Sequence, residues 1–299
     1  MKILLFGKNG QVGEALQTAL RPLGEVIALG RAEADLEQPG ELPRIVATHA
    51  PDVIVNAAAY TAVDKAETDA QRARLVNAEA VAALAAAARR TNAWLVHYST
   101  DYVFDGRRPR PYREVDVPQP LSVYGSTKLR GDQAIAGSGC RHLLFRVSWV
   151  YSRGHSNFGA TMLRLARDRT ALNVVADQIG APTSAALIAD VTAKAIARVA
   201  QPDTDALSGT YHLAASGTVS RADYAKFLIS EARAAGAPIA LDASGIAAVA
   251  TADYPTPAAR PLNSRLDTRK LATAFGIDLP PWQDDVRQWV IDTVRESGV

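Results

Sequence analysis

The chain has a single cysteine, Cys140, in 299 residues, which excludes an internal disulfide and any cysteine-based metal cluster. It has no strong charge of one sign: 33 lysines and arginines face 31 aspartates and glutamates, a net +2. That balance gives no cationic footprint for a nucleic-acid backbone, so no nucleic-acid partner is expected. Long hydrophobic runs are also missing. The longest uncharged run in the alanine-rich stretch, Ala80 to Ala88, is far too short to cross a bilayer, so no membrane partner is expected. Near the start, Ile3–Phe6 is cut off by Gly7 and Lys8, which reads as a strand rather than a signal peptide and implies a cytoplasmic chain. The five histidines (His49, His97, His142, His155, His212) are scattered without ligand spacing, so no metal is expected from them.

What is present is ordinary globular composition, 48% apolar and 21% charged, on a length that suits two domains or one large α/β unit. Lys2–Phe6, Glu25–Leu29, Asp52–Asn56, Trp94–Ser99 and His142–Trp149 read as short buried strands. Helix-period segments separate them: Val12–Leu23 with Gly24 as its stop, roughly Gly40–Ala47, an alanine-rich stretch ending near Arg90, and Val123–Ala136. Near-continuous apolar strands alternating with helices predict a Rossmann-type, doubly wound parallel sheet over residues 1–150. Residues 151–299 read as a smaller mixed α/β substrate-binding part with segments returning to the first domain. Its expected helices are Phe158–Arg169, Ser184–Ala200, Arg221–Ala235, Arg265–Phe275 and Asp284–Glu296; its expected strands are Leu172–Val175 and Gly209–Ala214. Arg107–Pro120 and Tyr254–Pro261 are proline-rich and read as loops.

The first strand runs into Gly7-Lys8-Asn9-Gly10-Gln11-Val12-Gly13 and then a helix. Glycines there allow a tight turn and close approach of a pyrophosphate, and the helix start offers free N–H groups to it. The second strand ends Leu29-Gly30-Arg31, without the carboxylate that would bind an unphosphorylated adenosine ribose. Arg31 could pair with a 2′-phosphate, so NADPH is expected over NADH, with NADH still usable because Asp35-Leu36 could flank the adenine. Ala57, Ala58 and Ala59, at the end of the third strand, are small enough to let a cofactor lie against the backbone. The fourth strand ends Ser99-Thr100-Asp101, and 24 residues beyond Thr100 comes Tyr124-Gly125-Ser126-Thr127-Lys128. On a helix Tyr124 and Lys128 share a face. The ammonium is expected to lower the phenol's pKa for general acid–base work, beside the Thr100 hydroxyl.

This constellation resembles the extended, nucleotide-sugar-modifying branch of the short-chain dehydrogenase/reductase family. Phe6–Gly13, Asp52–Glu67, Ser99–Gly106, Arg146–Tyr151, Asp177–Thr183 and Tyr254–Pro261 are similar, within it, to the dTDP-4-dehydrorhamnose reductase family. That resemblance covers nearly the whole chain. It implies hydride transfer from NADPH or NADH to the C4 ketone of dTDP-4-dehydro-β-L-rhamnose, giving dTDP-L-rhamnose for surface polysaccharide such as O-antigen. By the same resemblance Tyr124 is the proton donor, Lys128 its modulator and ribose ligand, and Thr100 the hydroxyl that polarises the ketone. Asp101, Tyr102 and Trp149 match positions that meet the dTDP-sugar. Gly10, Gln11, Val12, Asp35, Leu36, Ala59, Tyr60 and Thr61 match cofactor positions, and Arg260 is a diphosphate ligand on chemical grounds.

Two departures from the family pattern matter. Gly30 stands where many relatives carry an acidic residue, which favours NADPH. Ala15 and Ala186 stand where some relatives hold Mg²⁺ through glutamates at a dimer interface. A magnesium-bridged dimer is therefore not expected, and a homodimer of another kind stays open. A nucleotide-sugar 4,6-dehydratase would carry Asp-Glu after the threonine, whereas Asp101 precedes Tyr102 here. An epimerase needs only the tyrosine, the lysine and a retained cofactor, so it remains an alternative. A non-catalytic dinucleotide-binding regulator, like the related regulatory subunit of methionine adenosyltransferase, would have little need of the Thr/Tyr/Lys set.

Overall fold

The computed structural model describes residues 1–296; the last three residues of the segment 151–299 lie outside the described residues. Six strands form one sheet: β1 (Lys2–Phe6), β2 (Glu25–Leu29), β3 (Val53–Asn56), β4 (Trp94–Thr100), β5 (His142–Val147) and β6 (Gly209–Leu213). Their order is 2-1-3-4-5-6, and every pairing is parallel. Register aligns the carboxyl ends, with Phe6 beside both Leu29 and Asn56, Thr100 beside Val147, and Val147 beside Leu213. The order reverses between β1 and β3, which opens a crevice where ligands of such sheets bind.

Side chains alternate between two cores, as the pleat requires. Ile3 and Leu5 pack with Val55 and Val96 on one face, beneath Leu16 of α1 (Gln11–Ala19) and Ile188 of the later helix Ala185–Val199. Leu4 and Phe6 pack with Ile54 and Leu95 on the other, beneath Val46 of α2 (Leu42–His49), Leu84 of α3 (Ala80–Thr91) and Ile135 of α4 (Val123–Ser138). Each such side chain contributes about 1.5–3 kcal/mol by leaving water. The alanines of α3, buried at Ala80, Ala85, Ala87 and Ala88, let it lie close against the sheet layer.

The remaining long helices are α5 (Phe158–Asp168), α6 (Ala185–Val199), α7 (Arg221–Ala234) and α8 (Trp282–Glu296). Strand β6 and helix α6 come from the second half of the chain but join the layers of the main sheet. Leu172–Val175 does form a strand, and its parallel partner Ile246–Val249 had no clear sequence signal.

Element ends differ from the sequence reading for identifiable reasons. Strand β5 stops at Val147, because Trp149 adopts a left-handed φ of 47°. Helix α2 starts at Leu42, with Pro43 in its first turn. Helix α1 ends at Ala19, and Pro22 sits in a separate 3₁₀ turn, Arg21–Leu23. The helix expected from Arg265 begins at Arg269, because Arg265 and Asp267 make backbone bonds to Tyr112 of 2.8 and 2.7 Å.

Two buried histidines, His97 and His212, are held below their ordinary pKa by burial and should make the fold acid-sensitive. His212 on β6 is fully buried, its Nδ1 lies 3.0 Å from the Tyr112 carbonyl, and burial first, then the Arg146 charge, push its pKa down to about 3. The unfolded chain protonates near 6.5. This group's contribution is therefore complete above pH 6.5 and is lost as pH falls toward 3, at up to about 1.4 kcal/mol per pH unit. Urea midpoints are expected to fall between pH 6.5 and 5, and His212→Gln to flatten that slope. An unchanged slope in the variant would contradict the assignment.

Candidate active site

The turn after β1 brings two segments into contact that only glycines allow. Gly7 has φ +87°, and a Cβ there would lie 2.6 Å from the Ala58 nitrogen; one at Gly13 would lie 2.0 Å from the Gly7 carbonyl oxygen. The start of α1 therefore sits directly on the turn. No side chain caps this helix at Gly10, so its first N–H groups face the crevice.

A cavity of about 800 Å³ runs along the carboxyl edge of the sheet. Of the expected cofactor residues, Gly7, Gly10, Gln11 and Val12 line it from the turn, Arg31, Asp35 and Leu36 from beyond β2, and Ala57 to Thr61 from beyond β3. Gly13 does not line it; its part is the close contact beneath the turn. Thr100, Asp101, Tyr102, Tyr124, Lys128 and Trp149 close the other end. The sequence pattern gave no sign of Asn77, a buried side chain in the π-helical turn Leu75–Glu79. Its amide accepts from Tyr60 N at 2.9 Å and donates to Tyr60 O at 3.0 Å, fixing the Ala59-Tyr60-Thr61 wall.

Helix α4 is capped by Ser122, whose Oγ accepts from Gly125 N at 3.1 Å. Cβ atoms at Gly125 and Gly131 would stand 2.2 Å from Tyr102 O and 2.3 Å from Asn77 O, so glycine there lets the helix press against the site. Tyr124 and Lys128 project one turn apart, and the Tyr124 ring meets Tyr102 edge-on at 5.8 Å. The Thr100 hydroxyl, beside the Tyr124 phenol, accepts from Tyr102 N at 3.1 Å and donates to Asp101 Oδ1 at 3.2 Å.

The electrostatics correct one expectation. The Tyr124 phenol is raised above the ordinary tyrosine range, chiefly by burial and against the Thr100 hydrogen bond, rather than lowered by Lys128. The buried Lys128 ammonium has turned to the Tyr98 carbonyl at 2.6 Å and lies 3.2 Å from His97 Nε2. Burial lowers its pKa to about 8. The site therefore holds a protonated phenol near neutrality, the state a proton donor requires. Asp101, also buried, is pushed up to about 6 by desolvation.

Arg260 is paired within the protein. It does not line the cavity; its guanidinium donates to Asp64 Oδ2 at 2.7 Å and to Ala258 O at 2.9 Å. The guanidinium that does line it beside Trp149 is Arg221, at the start of α7, stacked 3.6 Å from the Trp149 ring centre. Among the described residues Arg221 has no carboxylate at ion-pair distance. Nothing in its local sequence marks it, because Trp149 and Arg221 meet only in the folded chain.

A family model described as "RmlD substrate binding domain" matches residues 1–295. The chain belongs to the dTDP-4-dehydrorhamnose reductase family. It is 51% identical to the family member from Escherichia coli (strain K12) and 50% identical to that from Salmonella typhimurium (strain LT2), each over 303 aligned residues covering all of both chains. Among solved structures, a family reductase from Bacillus anthracis in complex with NADP superposes with a TM-score of 0.88 at 32% identity, over 98% of this chain and 99% of that one. A UDP-glucose 4-epimerase from Thermus thermophilus in complex with NAD reaches 0.80 at 18% identity, over 99% of each chain; that likeness concerns the fold alone. Membership of the reductase family makes this chain an NAD(P)-dependent oxidoreductase.

Proposed function

We propose that this chain reduces the C4 ketone of dTDP-4-dehydro-β-L-rhamnose to give dTDP-L-rhamnose, with NADPH preferred and NADH accepted. The observation that carries the reading is the Tyr124 phenol placed beside Thr100 and one helical turn from Lys128, at the wall of the cavity that the glycine turn opens. The clearance at Gly7 and Gly13 and the uncapped start of α1 suit a pyrophosphate. Gly10, Gln11 and Val12 would hold that group, with Ala57, Ala58 and Ala59 along the dinucleotide and Arg31 at the 2′-phosphate. The bound cofactor supplies the hydride.

Tyr124 then gives its phenolic proton to the C4 oxygen, with Thr100 orienting the ketone. The Lys128 charge, one helical turn away, stabilises the phenolate that remains. Arg221 takes the diphosphate role expected of Arg260, because it lines the cavity and, among the described residues, has no carboxylate at ion-pair distance, while the Arg260 guanidinium is paired with Asp64. Trp149, Tyr102 and Asp101 complete the sugar-nucleotide end. Residues 151–299 supply their share of that end through Phe158, Arg221 and Tyr224.

The test is steady-state NADPH oxidation with the dTDP-ketosugar, followed across pH. Lys128 is charged below about 8 and loses its proton above that value. The rate is therefore expected to be level near neutrality and to fall about tenfold per unit once Lys128 deprotonates. The residual activity of Lys128→Met should lack that limb. No oxidation of NADPH by the ketosugar, or a wild-type profile level through pH 9, would count against the reading.

A further inference from the structure

At the adenosine end of the cavity a single carboxylate sits between two guanidiniums. Glu37 accepts from Arg31 Nη2 and from Arg72 Nε at 2.8 Å, with Arg72 Nη2 2.7 Å away in the same ion pair. All three side chains line the cavity, next to Asp35 and Leu36. Arg31 has only a longer contact to Asp35, at 3.5 Å, and the Glu37 backbone N–H is anchored on Asp35 Oδ1 at 3.0 Å. Arg72, on the short helix Ala70–Arg74, is 35 residues away from Glu37 in sequence, so the pair forms only in the fold.

Two planar cations converging on one point are matched better by a dianion than by a carboxylate. A phosphate monoester carries about −1.5 to −2 charge and offers three acceptor oxygens to such a pair. We propose that Glu37 is the specificity-determining residue for the cofactor: an internal anion that a ribose 2′-phosphate displaces from Arg31 and Arg72. With an unphosphorylated ribose Glu37 keeps both arginines, and no bare cations are left facing the ligand. Both cofactors are then accepted, and the preference between them is set by the competition of Glu37 with the 2′-phosphate. By formal charge the two guanidiniums are matched by the two carboxylates, Asp35 and Glu37; removing the Glu37 charge leaves the pocket cationic.

This rests on the dinucleotide reading above, and the test separates the two. Dissociation constants for NADPH and NADH, and for adenosine 2′,5′-bisphosphate and 5′-AMP, are measured for wild type, Glu37→Gln and Arg72→Gln. These side chains are partly exposed, at 24% for Glu37 and 36% for Arg72, so both variants should fold. Glu37→Gln is expected to shift the NADPH-over-NADH ratio about tenfold toward NADPH, and Arg72→Gln about tenfold the other way, the scale of one charge-assisted hydrogen bond. The bisphosphate and 5′-AMP should reproduce both shifts. Ratios within twofold of wild type in both variants would overturn the Glu37 assignment and leave dinucleotide binding intact. Failure of every protein, wild type included, to bind either dinucleotide would overturn both.

Discussion

Tyr124→Phe is expected to lower kcat by at least ~10²-fold while leaving cofactor binding and the melting temperature close to wild type. The variant loses only the phenolic oxygen. The ring keeps its edge-on contact with Tyr102 at 5.8 Å and its place one turn before Lys128, so the wall of the cavity should not move. What is lost is the group proposed to protonate the ketone oxygen, and a positioned general acid contributes about 10²–10⁴-fold. The hydroxyl of Thr100 cannot replace it: an aliphatic alcohol is a much weaker acid than a phenol, and this one already accepts from Tyr102 N and donates to Asp101. A fall in kcat of less than tenfold, with NADPH still bound, would show that the proton comes from elsewhere.

Gly13→Ala should be among the most damaging single methyl groups in the chain's first half. Its Cβ would stand 2.0 Å from the Gly7 carbonyl oxygen, and the same turn is braced from behind by Ala58. Backbone on both sides cannot rotate aside as a side chain does, so α1 must lift off the turn. Overpacking against movable side chains costs about 1–3 kcal/mol, and this contact should reach the top of that range. The melting temperature should fall by several degrees and NADPH affinity by more than tenfold. Gly10→Ala is the internal control, because its nearest neighbour would be 3.5 Å away, an ordinary contact; its melting temperature should stay near wild type. Equal melting temperatures for Gly13→Ala and wild type would contradict this account of the turn.

Much of this architecture was legible in the sequence, because local signals dominate it. The strands at Lys2–Phe6 and Glu25–Leu29, the glycine turn, the four-residue spacing of Tyr124 and Lys128, and a hydroxyl at the end of β4 each need only a short window. What escaped depends on partners far apart in the chain. Arg221 meets Trp149 across 72 positions, and Ile246–Val249 is a strand only because Leu172–Val175 lies beside it. The orientation of Lys128 was equally hidden. A buried ammonium must be hydrogen-bonded, and the Tyr98 carbonyl that satisfies it belongs to another element. The ion pair of Arg260 with Asp64, nearly two hundred residues earlier, was hidden for the same reason.

In the proposed reaction hydride arrives at C4 of the sugar while Tyr124 supplies the proton. Turnover of dTDP-4-dehydro-β-L-rhamnose with NADPH deuterated at the transferable C4 position of its nicotinamide tests it directly. One deuterium at C4 of the dTDP-L-rhamnose formed, with one equivalent of NADP⁺ released into solution for each sugar, is the predicted result. A product without deuterium, or an epimerised ketosugar with no net oxidation of NADPH, would contradict it.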